Sequence, residues 1–167
     1  MSRVDIRAAS RLGQMISALV AHTRSLGLML GAPLARIALA LPFLRSGLTR
    51  WDGFLSVSPV TVFLFENQFK LHIFGHVFDL PAPDVLSVIV AVAELSLPVL
   101  LILGLATRVA ALCLLLMTGM IQLVFPDGWA NFHLYWAALA AAVMALGPGP
   151  LSLDYLLSRK SRSRLRS

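Results

Sequence analysis

Cysteine is nearly absent from the 167-residue chain, and its scarcity excludes several kinds of chemistry. The single residue, Cys113, cannot form a disulfide within the chain, and its apolar surroundings favour a buried, unreactive thiol. There is no CxxC motif, so neither a thioredoxin-like dithiol nor a cysteine zinc site can be built. Haem-attachment motifs, glycine-rich phosphate loops and Ser-His-Asp arrangements are missing as well. The chain is therefore not expected to be a complete enzyme by itself.

Charged residues are also few. They make up 13% of the chain, against 58% hydrophobic residues and a mean hydropathy of +0.82. A soluble domain of this length cannot hide so much apolar surface in its core. The composition therefore predicts an integral membrane protein, with the lipid bilayer as its solvent.

Four apolar segments are long enough to cross a hydrocarbon core of about 30 Å, which takes about 20 helical residues. These segments are Leu26–Gly47, Val85–Leu105, Ala106–Phe125 and Ala130–Leu146. The second and third are joined by a very short connection, which predicts an antiparallel hairpin. Glycine and alanine on the first and fourth segments allow close packing between helices in lipid. The sequence predicts an all-α fold, a bundle of four transmembrane helices.

Basic residues are distributed unevenly over the connections. Ten would lie on one side of a four-span protein: Arg3, Arg7, Arg11, Arg24, Arg108, Arg159, Lys160, Arg162, Arg164 and Arg166. The other side has Arg50 and Lys70, with Arg45 at the boundary. The positive-inside rule then predicts a multi-pass protein of the bacterial inner membrane with both termini in the cytoplasm. Because these charges flank the spans and lack interleaved aromatic residues, nucleic-acid binding is not expected.

The ends of the chain have a different character from the membrane domain, residues 26–157. In residues 1–25, apolar side chains recur at helical spacing: Leu12, Met15, Ile16, Leu19 and Val20. This pattern predicts an amphipathic helix on the anionic cytoplasmic leaflet, with a flexible tail as the alternative. Residues 158–167 are basic and serine-rich, which predicts a disordered cytoplasmic tail.

The connection between the first two spans, residues 51–84, is long and apolar. Ser58-Pro59 can begin a helix, while charged residues and histidines argue against a fifth span. We expect this connection to form an apolar cap over the outer end of the bundle. Trp51 and Trp129 fall at the predicted outer interface, where aromatic residues are favoured.

The sequence resembles the DoxX family of small four-helix bacterial membrane proteins over approximately residues 34–157. The residues that carry the resemblance are Arg36, Gly47-Leu48-Thr49-Arg50, Phe63-Leu64-Phe65-Glu66, Glu94–Leu101, Leu103–Arg108, Ile121-Gln122, Pro126–Trp129, His133, Trp136 and Gly147–Asp154. Residues 70–78 look like an insertion relative to the shortest members. The resemblance implies a membrane subunit related to thiosulfate:quinone oxidoreductase, or a partner of redox and sulfur-handling proteins in oxidative-stress complexes.

Two opposite charges are predicted near the middle of the bilayer. Arg36 is ten residues into the first predicted span and Glu94 is near the centre of the second. Because an unpaired charge at this depth costs about 2.5–3.5 kcal/mol, we expect an Arg36–Glu94 ion pair inside the bundle. This pair is either part of a quinone, proton or small-molecule site or a structural clasp that sets helix register.

A second polar cluster is predicted at the outer end of the bundle. Its members are Arg45, Gln122, His133 and Trp136. With His133 donating a hydrogen bond, they could hold a polar head group such as a quinone carbonyl; the alternative is an interfacial anchor. His72 and His76 are spaced for a metal on a helix, but two histidines without a third ligand make a poor site, so no metal is expected.

Three functions are compatible with these features. The first is a membrane subunit that anchors a redox partner protein and contacts quinone, which would make the chain part of an oxidoreductase. The second is a small-solute carrier or channel-like protein whose buried charges line a path. The third is a purely structural module, acting alone or as a homo-oligomer.

Overall fold

A computed structural model describes the backbone of residues 3–164 and the side chains of residues 13–160, apart from Arg24 and Leu28. Its helices are α1 (Arg3–Thr49), α2 (Pro59–Asn67), α3 (Pro83–Leu103), α4 (Thr107–Val124), α5 (Leu134–Leu146) and α6 (Leu153–Arg164). A hairpin of β1 (Lys70–Ile73) and β2 (His76–Asp79) follows α2, and a 3₁₀ turn (Pro126–Gly128) and a π-helical turn (Trp129–His133) precede α5. Within the described residues, four helical segments are long and apolar enough to cross a membrane: Gly13–Thr49, Pro83–Leu103, Thr107–Val124 and Pro126–Leu146. The predicted all-α bundle of four transmembrane helices is confirmed, with the small hairpin as an addition.

The four long helices form a closed ring, because α1 and α4 each pack against both α3 and α5. Between them lies one apolar core, composed of Leu39, Ala40, Phe43, Leu101, Ala110, Ala111, Leu114, Ala140 and Val143. Four of these nine residues are alanine, and small residues allow close packing between helices in membrane bundles.

Helix α1 continues without a break through the segment that the sequence assigns to a separate amphipathic helix. Met15, Ile16, Leu19 and Val20 are all exposed, so the predicted apolar face does not pack against the bundle. The side chains of Leu12 and of the basic residues at positions 3, 7, 11 and 24 lie outside the described residues. The amphipathic surface helix remains a prediction.

One end of the bundle, which we call the turn end, contains the α3–α4 turn and the segment after α5. Gly104 and Ala106 adopt positive φ angles of 67° and 48°, so the chain reverses within three residues. Asp154 lies beside this turn: its backbone N–H donates to the Gly104 carbonyl over 2.9 Å. As an acidic residue in the first turn of α6, Asp154 also suits the positive end of the helix dipole. Helix α6 runs to Arg164, whereas the sequence predicts disorder from residue 158. Residues 165–167 lie outside the described part of the chain.

The opposite end, which we call the cap end, contains the connection between α1 and α3. Helix α2 begins at Pro59, as Ser58-Pro59 predicts, and packs against α3. Strand β1 lies against α4, with a contact of 3.3 Å between His72 Nδ1 and the Leu123 carbonyl oxygen.

The hairpin separates the two histidines that were considered for a metal. His72 pairs with Val77 and Ile73 pairs with His76. Cross-strand partners share a face and neighbours along a strand do not, so His72 and His76 lie on opposite faces. Among the described residues, no group of three or more histidine, cysteine or carboxylate side chains could hold a metal ion.

Candidate functional site

The predicted Arg36–Glu94 ion pair is wrong. Arg36 is 1% exposed and donates from Nη2 to the Leu151 carbonyl over 2.5 Å and from Nη1 to the Leu101 carbonyl over 3.4 Å. A Cβ added to Gly104 would lie within 1.8 Å of Arg36 Nη1, so the guanidinium lies at the turn end. Arg36 does not lie near the middle of the bundle, because α1 begins well outside the bundle and reaches the level of the α3–α4 turn only at Arg36.

Helix register explains why Glu94 is out of reach of Arg36. Eleven positions after Arg36, Gly47 packs against Glu94: a Cβ at Gly47 would lie 2.7 Å from the Glu94 carbonyl oxygen. Eleven helical residues span about 16 Å, more than an arginine side chain can cover. Arg36 therefore links the helices at the turn end. This agrees with a structural role for Arg36, but Arg36 does not form a clasp with Glu94.

The partner of Glu94 is Arg50. Arg50 donates from Nε to Glu94 Oε2 over 2.5 Å and from Nη2 to Oε1 over 2.9 Å, a bidentate ion pair. The Glu94 side chain is 2% exposed and the Arg50 side chain 15%. The Arg50 guanidinium also stacks over the Phe65 ring, 5.4 Å from its centroid. Sequence reasoning missed this pair because it counted Arg50 only as a loop charge; the Gly47–Arg50 motif was the available signal.

The Arg50–Glu94 pair lines a cavity of about 930 Å³. This space exists because α1 ends level with the middle of α3. Glu94 is eleven residues from the start of α3, and α1 ends two residues after Gly47, which lies against Glu94, so about 13 Å of α3 lies beyond the end of α1. The cap residues Phe65, Phe69 and Leu80 line the cavity in this region, together with Phe125 after α4. Phe69 makes edge-to-face contacts with Phe65 and Phe125, at centroid distances of 5.1 and 5.3 Å.

The cavity lining is mainly apolar. Its charged or titratable members besides Cys113 are Arg50, Glu94 and His133. Several lining residues are also exposed on the outer surface of α3 and α4: Val88, Ile89, Val92, Leu116 and Met120. The cavity thus borders the face of the bundle where apolar side chains point away from the protein.

Three members of the predicted outer-end cluster lie together at this cavity. His133 is 3% exposed, its Nδ1 is 2.6 Å from Gln122 Oε1, and its ring centroid is 5.4 Å from that of Trp136. His133 and Trp136 line the cavity. Gln122 does not line it but forms a hydrogen bond with His133. Arg45 is exposed and does not line it. Phe43 does, and Arg45 is two positions further along α1, about 200° around the helix.

At the turn end, Asp154 stabilises the fold. The sequence identified this residue only as part of the Gly147–Asp154 motif. Its carboxylate accepts hydrogen bonds from the backbone N–H groups of Ala106 and Thr107, over 2.8 and 2.9 Å. Burial raises the pKa of Asp154, but the hydrogen bonds from Thr107 and Ala106 and the charge of Arg36 outweigh burial and lower the pKa overall. Asp154 therefore stays ionised and ties the α3–α4 turn to α6.

Comparison with known proteins adds one match. The protein-family model described as DoxX matches residues 31–127, more than half of the chain, including Arg36, Arg50 and Glu94. No curated protein and no solved structure matches the chain.

Proposed function

Because the chain belongs to the DoxX family, we propose that it is a membrane subunit of a redox-linked complex and binds a quinone in the cap-end cavity. It would anchor a redox partner protein and supply the quinone site, rather than catalyse a reaction alone. Together, a mostly apolar cavity of about 930 Å³ and a buried bidentate Arg50–Glu94 pair are the observation that carries this proposal.

The size and lining of the cavity suit an amphiphilic ligand. Ligand sites are typically about 300–1,000 Å³, mostly apolar, with a few placed polar groups. Arg50 uses Nε and Nη2 on Glu94, and its Nη1 has no hydrogen bond to the described residues. That leaves an N–H donor for a carbonyl oxygen. Exposed lining residues on α3 and α4 suit entry of an isoprenoid molecule from the bilayer.

The lining is less suited to the alternative of a carrier for polar solutes. A polar solute needs groups that replace its water along the whole path, because burying an unpaired polar group is costly. Here the polar side chains of the lining are few: the Arg50–Glu94 pair, His133, the Trp136 indole, the Cys113 thiol and two serines, Ser46 and Ser96. A purely structural module would bind no quinone, so the binding experiment below distinguishes it.

The proposal includes an orientation, with the cap end facing the periplasm and both termini in the cytoplasm of a bacterial cell. The ten-to-three distribution of basic residues supports it. Green fluorescent protein fused after Ser167 should fluoresce, and alkaline phosphatase at the same site should be inactive. An active phosphatase fusion and a non-fluorescent green fluorescent protein fusion would show that the protein has the opposite orientation.

Quinone binding can be followed through Trp136, which lines the cavity. In a Trp51→Phe/Trp129→Phe background, decylbenzoquinone should quench Trp136 fluorescence with saturation. Trp51 is a safe replacement, because its buried indole N–H has no hydrogen-bond partner in the described structure. Ala93→Phe, which fills part of the cavity, should weaken binding about tenfold or more, because the ring occupies space that the ligand needs; tenfold corresponds to about 1.4 kcal/mol of binding free energy.

Ala138→Phe is the matched control, because Ala138 is exposed on α5 and does not line the cavity. It should leave the dissociation constant unchanged. If the quinone does not bind at all, or if both phenylalanine variants weaken binding equally, quinone binding in this cavity is refuted.

A further inference from the structure

The amide of Gln122 has a defined orientation. Gln122 Nε2 donates to the Pro126 carbonyl oxygen over 2.9 Å, while Oε1 faces His133 Nδ1 at 2.6 Å. In the flipped orientation, Oε1 would face the Pro126 carbonyl, and two acceptors would repel each other at that distance. The backbone carbonyl can only accept, so Gln122 must present its oxygen to the histidine.

This orientation determines which nitrogen of His133 carries the proton. Since Gln122 Oε1 can only accept, His133 Nδ1 must carry a hydrogen. A neutral ring suits a side chain that is 3% exposed, because an uncompensated charge away from water is costly. In that tautomer Nε2 has a lone pair and no hydrogen, and it makes no hydrogen bond with the described residues. His133 can therefore offer the cavity an acceptor but no donor, the reverse of the role predicted from the sequence.

From this donor and acceptor pattern, and resting on the proposed function, we propose that the cavity prefers the hydroxyl form of its ligand, the quinol, over the quinone. Arg50 and His133 both line the cavity, and Arg50 Nη1 is the unused donor and His133 Nε2 the unused acceptor of the two side chains. A quinone has only acceptor oxygens and leaves Nε2 without a partner. A quinol hydroxyl accepts from an arginine and also donates to a histidine, so it can satisfy either group.

Three related probes test this preference: decylbenzoquinone, its reduced quinol kept under anaerobic conditions, and the dimethyl ether of that quinol. Binding of each to the full-length protein is followed by Trp136 fluorescence in the Trp51→Phe/Trp129→Phe background. The quinol should bind about tenfold more tightly than the quinone, the scale of one hydrogen bond. The dimethyl ether, which cannot donate, should bind no more tightly than the quinone.

Two variants assign the preference to His133. His133→Leu should abolish the advantage of the quinol, whereas His76→Leu in the exposed hairpin should retain it. Gln122→Met removes the acceptor for Nδ1–H and frees the ring to place its proton on Nε2. The quinol-to-quinone ratio should then fall towards one while both ligands still bind, so this variant decides the question if His133→Leu does not fold.

The outcomes separate the two proposals. If the quinone binds as tightly as the quinol, or if Gln122→Met leaves the ratio unchanged, the preference through His133 is refuted while quinone binding stands. If none of the three probes binds, the proposed function itself fails, and the inference fails with it.

Discussion

Arg50→Met should destabilise the protein more than Arg50→Met and Glu94→Met together. Removing Arg50 leaves a carboxylate that is 2% exposed without its counter-charge, and such losses cost about 3–5 kcal/mol. Removing both charges eliminates the unpaired group, so the double variant should lose only about 1 kcal/mol. Glu94→Met should lie between these values, because Arg50 is 15% exposed and can move towards the cap surface. The measurement is the free energy of unfolding in mixed micelles for all four proteins of the cycle.

Arg45→Met is the matched control for this cycle. Arg45 is in the last turns of α1, five residues before Arg50, which directly follows this helix, and Arg45 is exposed. Its replacement should change the unfolding free energy by less than about 0.5 kcal/mol, as surface substitutions usually do. Equal losses from Arg50→Met and Arg45→Met, or a double variant as unstable as Arg50→Met, would show that the ion pair does not hold α1 to α3.

Gly104→Ala should be among the most damaging small substitutions in the chain. A Cβ at this position would lie 1.8 Å from Arg36 Nη1 and 2.5 Å from the Ser152 Cβ, and the φ angle of +67° strains any side chain. Arg36 would be displaced and its buried hydrogen bonds to the Leu101 and Leu151 carbonyls lost. Unpaired buried arginine and backbone strain together should cost about 3–5 kcal/mol, visible as a large fall in melting temperature.

Substitutions at two other glycines distinguish the effect of backbone strain from that of the contact with Arg36. Gly53 has a φ angle of +104° but open space around it, so Gly53→Ala should show backbone strain alone, about 1–3 kcal/mol. Gly119 has open space and lies within α4, so Gly119→Ala should be neutral or stabilising by up to about 1 kcal/mol. If Gly104→Ala costs no more than Gly53→Ala, contact with Arg36 is not what makes Gly104 necessary.

The two ends of the bundle have different tasks. At the turn end, Arg36, Gly104 and Asp154 join α1, the α3–α4 turn and α6 through hydrogen bonds. This joint sets the register that brings Gly47 against Glu94 at mid-bundle, where Arg50 can reach the carboxylate. The hydrogen bonds of the turn end therefore help to position the polar groups of the cavity, although they lie far from it.

Some site residues could be identified from the sequence and others could not. Glu94 was recognised because a carboxylate within an apolar span needs a partner. Its partner was assigned wrongly, because hydropathy does not reveal how far α1 extends beyond the bundle or where it ends along α3. The grouping of Gln122, His133 and Trp136 was recognised from helical spacing and location, whereas Arg45 was included without knowing which face of α1 is buried.

The sequence by itself determined the lipid environment, the four apolar segments and the tight turn between α3 and α4, because composition, segment length and connection length act locally. Only the tertiary structure decided the register of α1 against α3, and with it the pairing of Arg50 with Glu94 and the cavity under the cap. Register depends on close contacts between residues far apart in the chain, such as Gly47 with Glu94 and Gly104 with Arg36, and no local pattern encodes which of these meet.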